Sequence, residues 1–200
     1  MKNIIIIGAG GHAKVVHDSL NKDSYNTMAI IDPVKKLDNQ FSELLHLKKD
    51  NDILNKFSIK QHMLIMGIGM VPGKNRYLRK ILYTNYKNNG YKFKNIIHSS
   101  SILADNTKIN TGAQIMAGVI IQVGGTIGEN SIVNTGAILD HDCDIGRNTH
   151  IAPGTIICGN VKVGNDCFIG AGAKILPGSI IPNDTDIKAG VIINKDTIFK

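Results

Sequence analysis

The sequence predicts two folds in succession: an α/β half over residues 1–98 and an all-β half over residues 99–200 made of stacked six-residue repeats. Three observations predict this. Short aliphatic runs alternate with helical patterns in the first half, a large apolar residue recurs at every sixth position in the second, and aromatics make up 5% of the chain with no Trp. The last point implies cores built mainly from Ile, Val, Leu and Ala, which suits layered, repetitive packing.

In the first half, Asn3–Ile7 reads as a short buried strand, Gly11–Asn21 as a helix and Thr27–Ile31 as a second strand. A weaker helix follows at about Asp50–Phe57, then a strand at His62–Met66. A basic amphipathic helix runs from about Gly73 to Tyr86, and a strand at Phe93–Ile97 closes the series. Strands alternating with helices imply a small parallel sheet with crossover connections.

From Ser99 the helical period stops. Every sixth residue from Leu103 through Phe199 is large and apolar, seventeen positions without an insertion. At the chain's overall apolar fraction, chance would give such a run on the order of a few times in a million, six frames allowed. The fourth residue after each is small or β-branched (Thr, Ala, Val, Gly, Ser or Cys), from Thr107 to Thr197. Gly follows the apolar residue at Gly128, Gly146, Gly164 and Gly170. Neither the 3.6 period of a helix nor the 2.0 period of an ordinary strand explains this. Short flat strands joined by tight turns do, three sides to a coil, with the aliphatic residue inward and Gly or Asn in the turns.

Composition excludes several function classes. The longest apolar run near the start, Ile4–Ile7, is too short for a secretion signal or a membrane span. Three cysteines (Cys143, Cys158, Cys167) without CxxC spacing fit neither a disulfide framework nor a zinc site. No metal is expected, and a reducing, cytoplasmic compartment is. The formal charge is +7, and seven basic residues lie between Lys74 and Lys94 with no acid among them. That segment reads either as a solvated helix face or as an attractor of anionic metabolites. The basic and aromatic interleaving of a nucleic-acid-binding module is absent.

The segment Gly8-Ala9-Gly10-Gly11-His12-Ala13 follows a strand, opens a helix and has Asp32 about twenty residues on. Alone, it is a dinucleotide fingerprint. An α/β half under 100 residues is too short for the two mononucleotide halves that NAD occupies, which argues against an NAD-linked oxidoreductase carrying an oligomerisation domain. Half of such a Rossmann-like unit seats one nucleotide, with its phosphates on the helix N-terminus. The same glycines also read as a turn kept for packing, and Lys14 as a phosphate partner or a solvated residue.

In the second half, His141 falls at a turn of the repeat frame. With Leu139 inward, Asp140–Cys143 cross the next turn and leave His141 projecting outward at a corner. Read by itself, His141 is either a surface histidine or a base titrating near neutral pH. Asp142 beside it can hold the imidazole tautomer as the third member of a triad does. Cys143 and Cys167 take the small interior position of their repeats and read as packing residues, not nucleophiles. Ile102, Ile120, Ile138 and Ile156, eighteen residues apart, form one outward apolar stripe that suggests a subunit interface.

The repeats resemble the left-handed parallel β-helix of hexapeptide-repeat acyltransferases. The segments IIIIGAGGHAKVV with Asp32, NTGAILDHDCDIGRNTHIAPG and ICGNVKVGNDCFIGAGAKILPG resemble, more narrowly, the NeuD/PglD-like sugar acetyltransferases: sialic acid O-acetyltransferases and N-acetyltransferases of UDP-linked 4-amino sugars. The resemblance spans nearly the whole chain. The family's usual Gly-x-Pro-Ala-Lys tail, which helps close over CoA, is not found before Lys200.

The resemblance implies an acetyl-CoA-dependent transferase serving surface glycan synthesis, with residues 1–98 binding the sugar acceptor and 99–200 holding acetyl-CoA. It assigns His141 as base with Asp142 as its partner, and His150 as an acetyl-CoA contact whose alternative is a solvent-facing histidine. It places the Gly159 N–H on the thioester carbonyl, although Gly159 also reads as a turn glycine. Gly170, Ala171, Gly172 and Leu176 continue along the pantetheine track. Gly8, Gly10, Gly11 and His12 would lie near the diphosphate and Asp32 near the uracil. It further implies a homotrimer with the active site between neighbouring subunits. The leading expectation is N-acetylation of a nucleotide-linked 4-amino sugar; O-acetylation of a sialic acid and a non-catalytic scaffold on the same prism are the alternatives.

Overall fold

The computed structural model describes residues 2–20, 24–34, 36–73 and 75–197. They form two units, one running to Met70 and resuming over Asn75–Lys94, the other comprising Val71–Lys74 and the chain from Asn95.

The first unit is a parallel sheet of β1 (Lys2–Ile7), β2 (Tyr25–Ile31), β3 (Leu45–Leu47), β4 (His62–Met66) and β5 (Lys92–Phe93) in the order β3-β2-β1-β4-β5. Three helices join it: α1 (Gly11–Asp18), α2 (Asp50–Lys56) and α3 (Leu78–Asn88). Ile4–Ile7 are all buried, as expected for a central parallel strand. Strand order reverses between β1 and β4, and an open α/β sheet binds ligands where such a reversal opens a crevice at the carboxyl ends of its strands.

Several elements differ from the sequence expectation. A 3-10 turn at Asn39–Phe41 and the strand β3 had no readable signal; β3 is three residues at the sheet edge, too short for a period. The basic helix starts at Leu78, not Gly73, because Gly73 sits at φ +114, incompatible with a helical turn. The expected strand at Phe93–Ile97 is two strands in two sheets: Phe93 pairs with Leu64, whereas Ile96–Ile97 (β6) pairs with Gln114–Ile115. This core is mainly aliphatic, as expected, but it also gathers aromatic side chains. Tyr83, Tyr86, Tyr91, Phe57 and Phe93 pack under the sheet, with the Tyr83 and Phe93 ring centroids 4.1 Å apart.

The second unit is a stack of two-residue strands from Ile96–Ile97 to Ile192–Ile193. Each pairs in parallel with the strand eighteen residues on, as in Ile120↔Ile138 and Ile138↔Ile156, giving three flat sheets. This is the left-handed parallel β-helix of hexapeptide repeats that the six-residue period predicts. The inward column is buried from Ile115 to Ile193, with Leu103 and Ile109 partly covered and Phe199 outside the described residues. Cys143 and Cys167 lie in the same core, both 0% exposed.

The turns carry a second six-residue beat. From Gly112 to Gly190, every sixth residue has φ between +52 and +79, and each is Gly, Asn or Asp. Those are the residue types that reach the left-handed region at least cost. The corner glycines have another cause. A Cβ on Gly146 would fall 2.5 Å from the Gly164 backbone, so coil-on-coil spacing leaves no room for a methyl group. Gly146→Ala should therefore destabilise the prism by about 1–3 kcal/mol through overpacking. Lys162→Ala, on an exposed outward position, should stay within about 0.5 kcal/mol. Urea unfolding of both variants against the parent checks this; equal midpoints for the two variants would refute it.

Candidate active site

In the prism, His141 and Asp142 occupy the turn after Leu139, both exposed. Asp142 has φ 58 and fills the left-handed slot of that turn, which brings its carboxylate back alongside the preceding ring. His141 Nδ1 lies 2.9 Å from Asp142 Oδ2. That pairing places the ring proton on Nδ1 and leaves Nε2 as the basic atom. The hydrogen bond to Asp142, ahead of a small opposing desolvation and the nearby Asp140 charge, holds the imidazole above the usual histidine range.

The turn is braced from the coils beside it. Asp142 N–H donates to Val123 O at 2.9 Å, and His141 O accepts from Asn160 N at 2.9 Å. The His141 ring lies over Gly159: a Cβ there would fall 2.6 Å from His141 Cε1. Gly159 is therefore required by close approach, its φ lying outside the left-handed set. Among the described residues no acceptor meets the Gly159 N–H, which leaves that donor beside the basic Nε2 for a ligand.

His150 is not solvent-facing. It is 6% exposed, its ring meets Phe168 edge-on at 5.3 Å, and its Nε2 lies 3.1 Å from Asn134 Nδ2. Asn134 Oδ1 accepts the Thr135 N–H at 2.8 Å, which turns its NH2 toward His150 and makes Nε2 the acceptor. Asn134 carried no sequence signal, because a turn Asn is ordinary in this repeat. Of the expected pantetheine track, Gly170 is buried and, with a Cβ 2.6 Å from Lys188 C, serves coil contact. Ala171 and Gly172 are exposed in the next turn, and Leu176 is 37% exposed. Cys143 points inward with its Sγ 3.2 Å from Cys158 O, and burial pushes its thiol up to about 11, unsuited to a nucleophile at neutral pH.

The first unit holds a cavity of about 740 Å³ at the carboxyl ends of β1 to β4. Gly8, Gly10, Gly11, His12 and Asp32, the whole predicted acceptor set, line it together with Lys48–Asn51, Gly67–Gly69, Leu78 and Leu82. The size suits a ligand of several hundred Å³. Asp32 also braces the loop from within, since its carboxylate accepts Ala9 N–H at 2.8 Å and Val34 N–H at 2.9 Å, tying the Gly-rich segment to the end of β2. Lys14 pairs with Asp38 at 2.5 Å and holds that carboxyl below the usual range. Among the described residues no cluster of three His, Cys, Asp or Glu is placed to hold a metal, and no helix is long and apolar enough to cross a membrane.

Comparison with known proteins finds related chains. The PglD N-terminal domain family matches residues 3–85. Comparison with curated proteins returned no match. Among solved structures, the acetyltransferase domain of PglB from Neisseria gonorrhoeae aligns with TM-score 0.85 at 26% identity over 96% of this chain and 91% of that one. A His-to-Asn variant of perosamine N-acetyltransferase from Caulobacter crescentus, in complex with CoA and GDP-perosamine, aligns with TM-score 0.83 at 33% identity over 96% and 89%. WeeI from Acinetobacter baumannii shares the fold at TM-score 0.69 and 20% identity, over 96% of each chain.

Asp142→Asn should leave the turn intact, since Asn148 and Asn160 hold the same left-handed position in other coils. The variant loses the carboxylate that favours imidazolium, so the His141 titration should move to lower pH. NMR titration of the imidazole resonances reads this directly; an unmoved inflection would show that Asp142 does not set the base.

Proposed function

The chain belongs to the NeuD/PglD-like sugar acetyltransferases, and from that premise we propose that it transfers the acetyl group of acetyl-CoA to the amino group of a nucleotide-linked amino sugar. The observation that carries the chemistry is the His141–Asp142 pair at 2.9 Å over Gly159. Relatives with bound acetyl-CoA, and with CoA and GDP-perosamine, support the two substrates.

In this reading Nε2 of His141 takes a proton from the acceptor amine as nitrogen attacks the thioester carbonyl carbon. The C–N bond forms, the carbonyl electrons move to oxygen, and the Gly159 N–H stabilises that oxyanion. Collapse restores the C=O bond and breaks the C–S bond. The thiolate of CoA leaves with the proton held on His141. Asp142 stays ionised and keeps Nδ1–H oriented throughout. His150, fixed by Asn134 and Phe168, lies on the neighbouring face as an acetyl-CoA contact, and Ala171, Gly172 and Leu176 offer an exposed path for the pantetheine arm. Gly170 reaches that path only through its backbone.

Residues 1–98 would bind the acceptor, its diphosphate at Gly8, Gly10, Gly11 and His12 and its base near Asp32. The prism would hold acetyl-CoA. An amine acceptor is favoured over a sialic acid hydroxyl because the perosamine relative is an N-acetyltransferase. The outward stripe, with Ile102 63% and Ile138 37% exposed, supports a homotrimer with the active site at the subunit interface. The three free cysteines fit work in the reducing cytoplasm.

Incubation with acetyl-CoA and a panel of GDP- and UDP-linked amino sugars, with free sialic acid as control, should release thiol and add one acetyl group to an amino sugar by mass. His141→Ala should lower kcat by about 10²–10⁴-fold. Cys143→Ala should retain most activity. Near-normal turnover by His141→Ala, or a folded but inactive Cys143→Ala, would overturn the mechanism.

A further inference from the structure

Arg79 is a charged residue that the mechanism above does not use, and it is almost fully buried, 2% exposed, in the second position of α3. Arginine is rarely buried so completely. Its desolvation is large enough to press the guanidinium down to about 9. A Leu or Met would fill the same space at lower cost if packing were the only demand.

The guanidinium is spent on backbone carbonyls at the end of β4. Arg79 Nη1 donates to Ile68 O at 2.5 Å and lies 3.5 Å from Met66 O. Between those carbonyls is Gly67, whose N–H donates to Ile7 O at 2.7 Å. A Cβ at Gly67 would fall 2.8 Å from Ala13 Cβ, Ile6 Cγ2 and Gly8 O, so β1, α1 and the end of β4 converge on that residue. One residue on, the Ile68 side chain fills the space beside Gly8: a Cβ on Gly8 would fall 2.5 Å from Ile68 Cγ1. Gly8, Gly67, Ile68 and Gly69 all line the 740 Å³ cavity. Arg79 is thus linked through Ile68 to both the β4 turn and the Gly-rich loop.

We propose that Arg79 is a positioning residue for acceptor recognition, holding the Met66–Ile68 carbonyls so that the β4 turn and the Gly-rich loop keep the shape of the nucleotide-sugar cavity. The proposal rests on the reading of that cavity as the acceptor site.

Arg79→Lys keeps the charge but not the planar fork; Arg79→Met keeps neither. UDP and GDP are titrated against each variant by thermal shift, and steady-state constants are measured with the best acceptor from the panel. Loss of a charge-assisted hydrogen bond predicts a rise in nucleotide Kd and acceptor KM of about tenfold or more in Arg79→Met. Arg79→Lys should fall between it and the parent. The KM for acetyl-CoA and the kcat at saturating acceptor should stay within about twofold, because an interaction made equally in ground and transition states moves KM alone. If the methionine variant does not fold, the lysine variant carries the same comparison. A folded variant with parental nucleotide affinity, or one whose acetyl-CoA KM rises in step with the acceptor KM, would overturn the role. A parent protein that binds neither nucleotide and acetylates no nucleotide sugar would instead overturn the proposed function.

Discussion

The eighteen-residue coil is the constraint on which the prism and its candidate site depend. Because each strand is two residues long, no strand is stable alone, and each coil is held by parallel hydrogen bonds to the coils on either side. Stacking buries a continuous aliphatic column in which an insertion of even one residue would move an inward side chain outward. The same register sets residues eighteen apart against each other. His141 therefore lies against Gly159, and Asp142 against Gly124 and Asn160. The chemistry of the turn is chosen within a lattice that the core has already fixed.

That lattice explains how scaffold and site share residues without conflict. The turn position at 142 demands Gly, Asn or Asp for its positive φ. Asp meets the backbone demand and supplies the carboxylate that orients His141. Position 159 has no demand on φ but must leave space for an imidazole from the coil beside it. Glycine meets that demand and, having no side chain, also exposes its N–H to a ligand. Cys143 shows the reverse case: an inward position turns a reactive residue type into packing, its thiol raised by burial.

The prism was the more legible half, because a periodic core writes its period into every sixth residue from Leu103. His141 and Asp142 could be placed in a turn by counting alone. What counting could not give was the environment of an outward side chain. His150 precedes an inward residue, yet Phe168 one coil away covers it. Such cover depends on the size of a neighbour eighteen residues off, not on the repeat. In the α/β unit the Gly-rich loop and Asp32 were legible as a nucleotide motif, and all of those residues reach one cavity. Arg79 was not. It read as part of a solvated basic face, and only the packing of α3 against β4 reveals that its charge is inside.

Under the proposed mechanism, the pairing of His141 with Asp142 involves an opposition that an amine acceptor would resolve. Raising the imidazole above its usual range leaves a smaller neutral fraction at neutral pH, which on its own slows a base-catalysed step. The same shift makes the neutral form a stronger base, and proton transfer in the transition state gains from that strength. For an acceptor amine the gain matters most as the nitrogen becomes cationic on attacking the thioester, when its proton must go to a nearby acceptor before the intermediate reverts. An exposed turn suits this role. In the proposed mechanism His141 passes between neutral and charged forms within each turnover, and at this turn the ring is open to solvent.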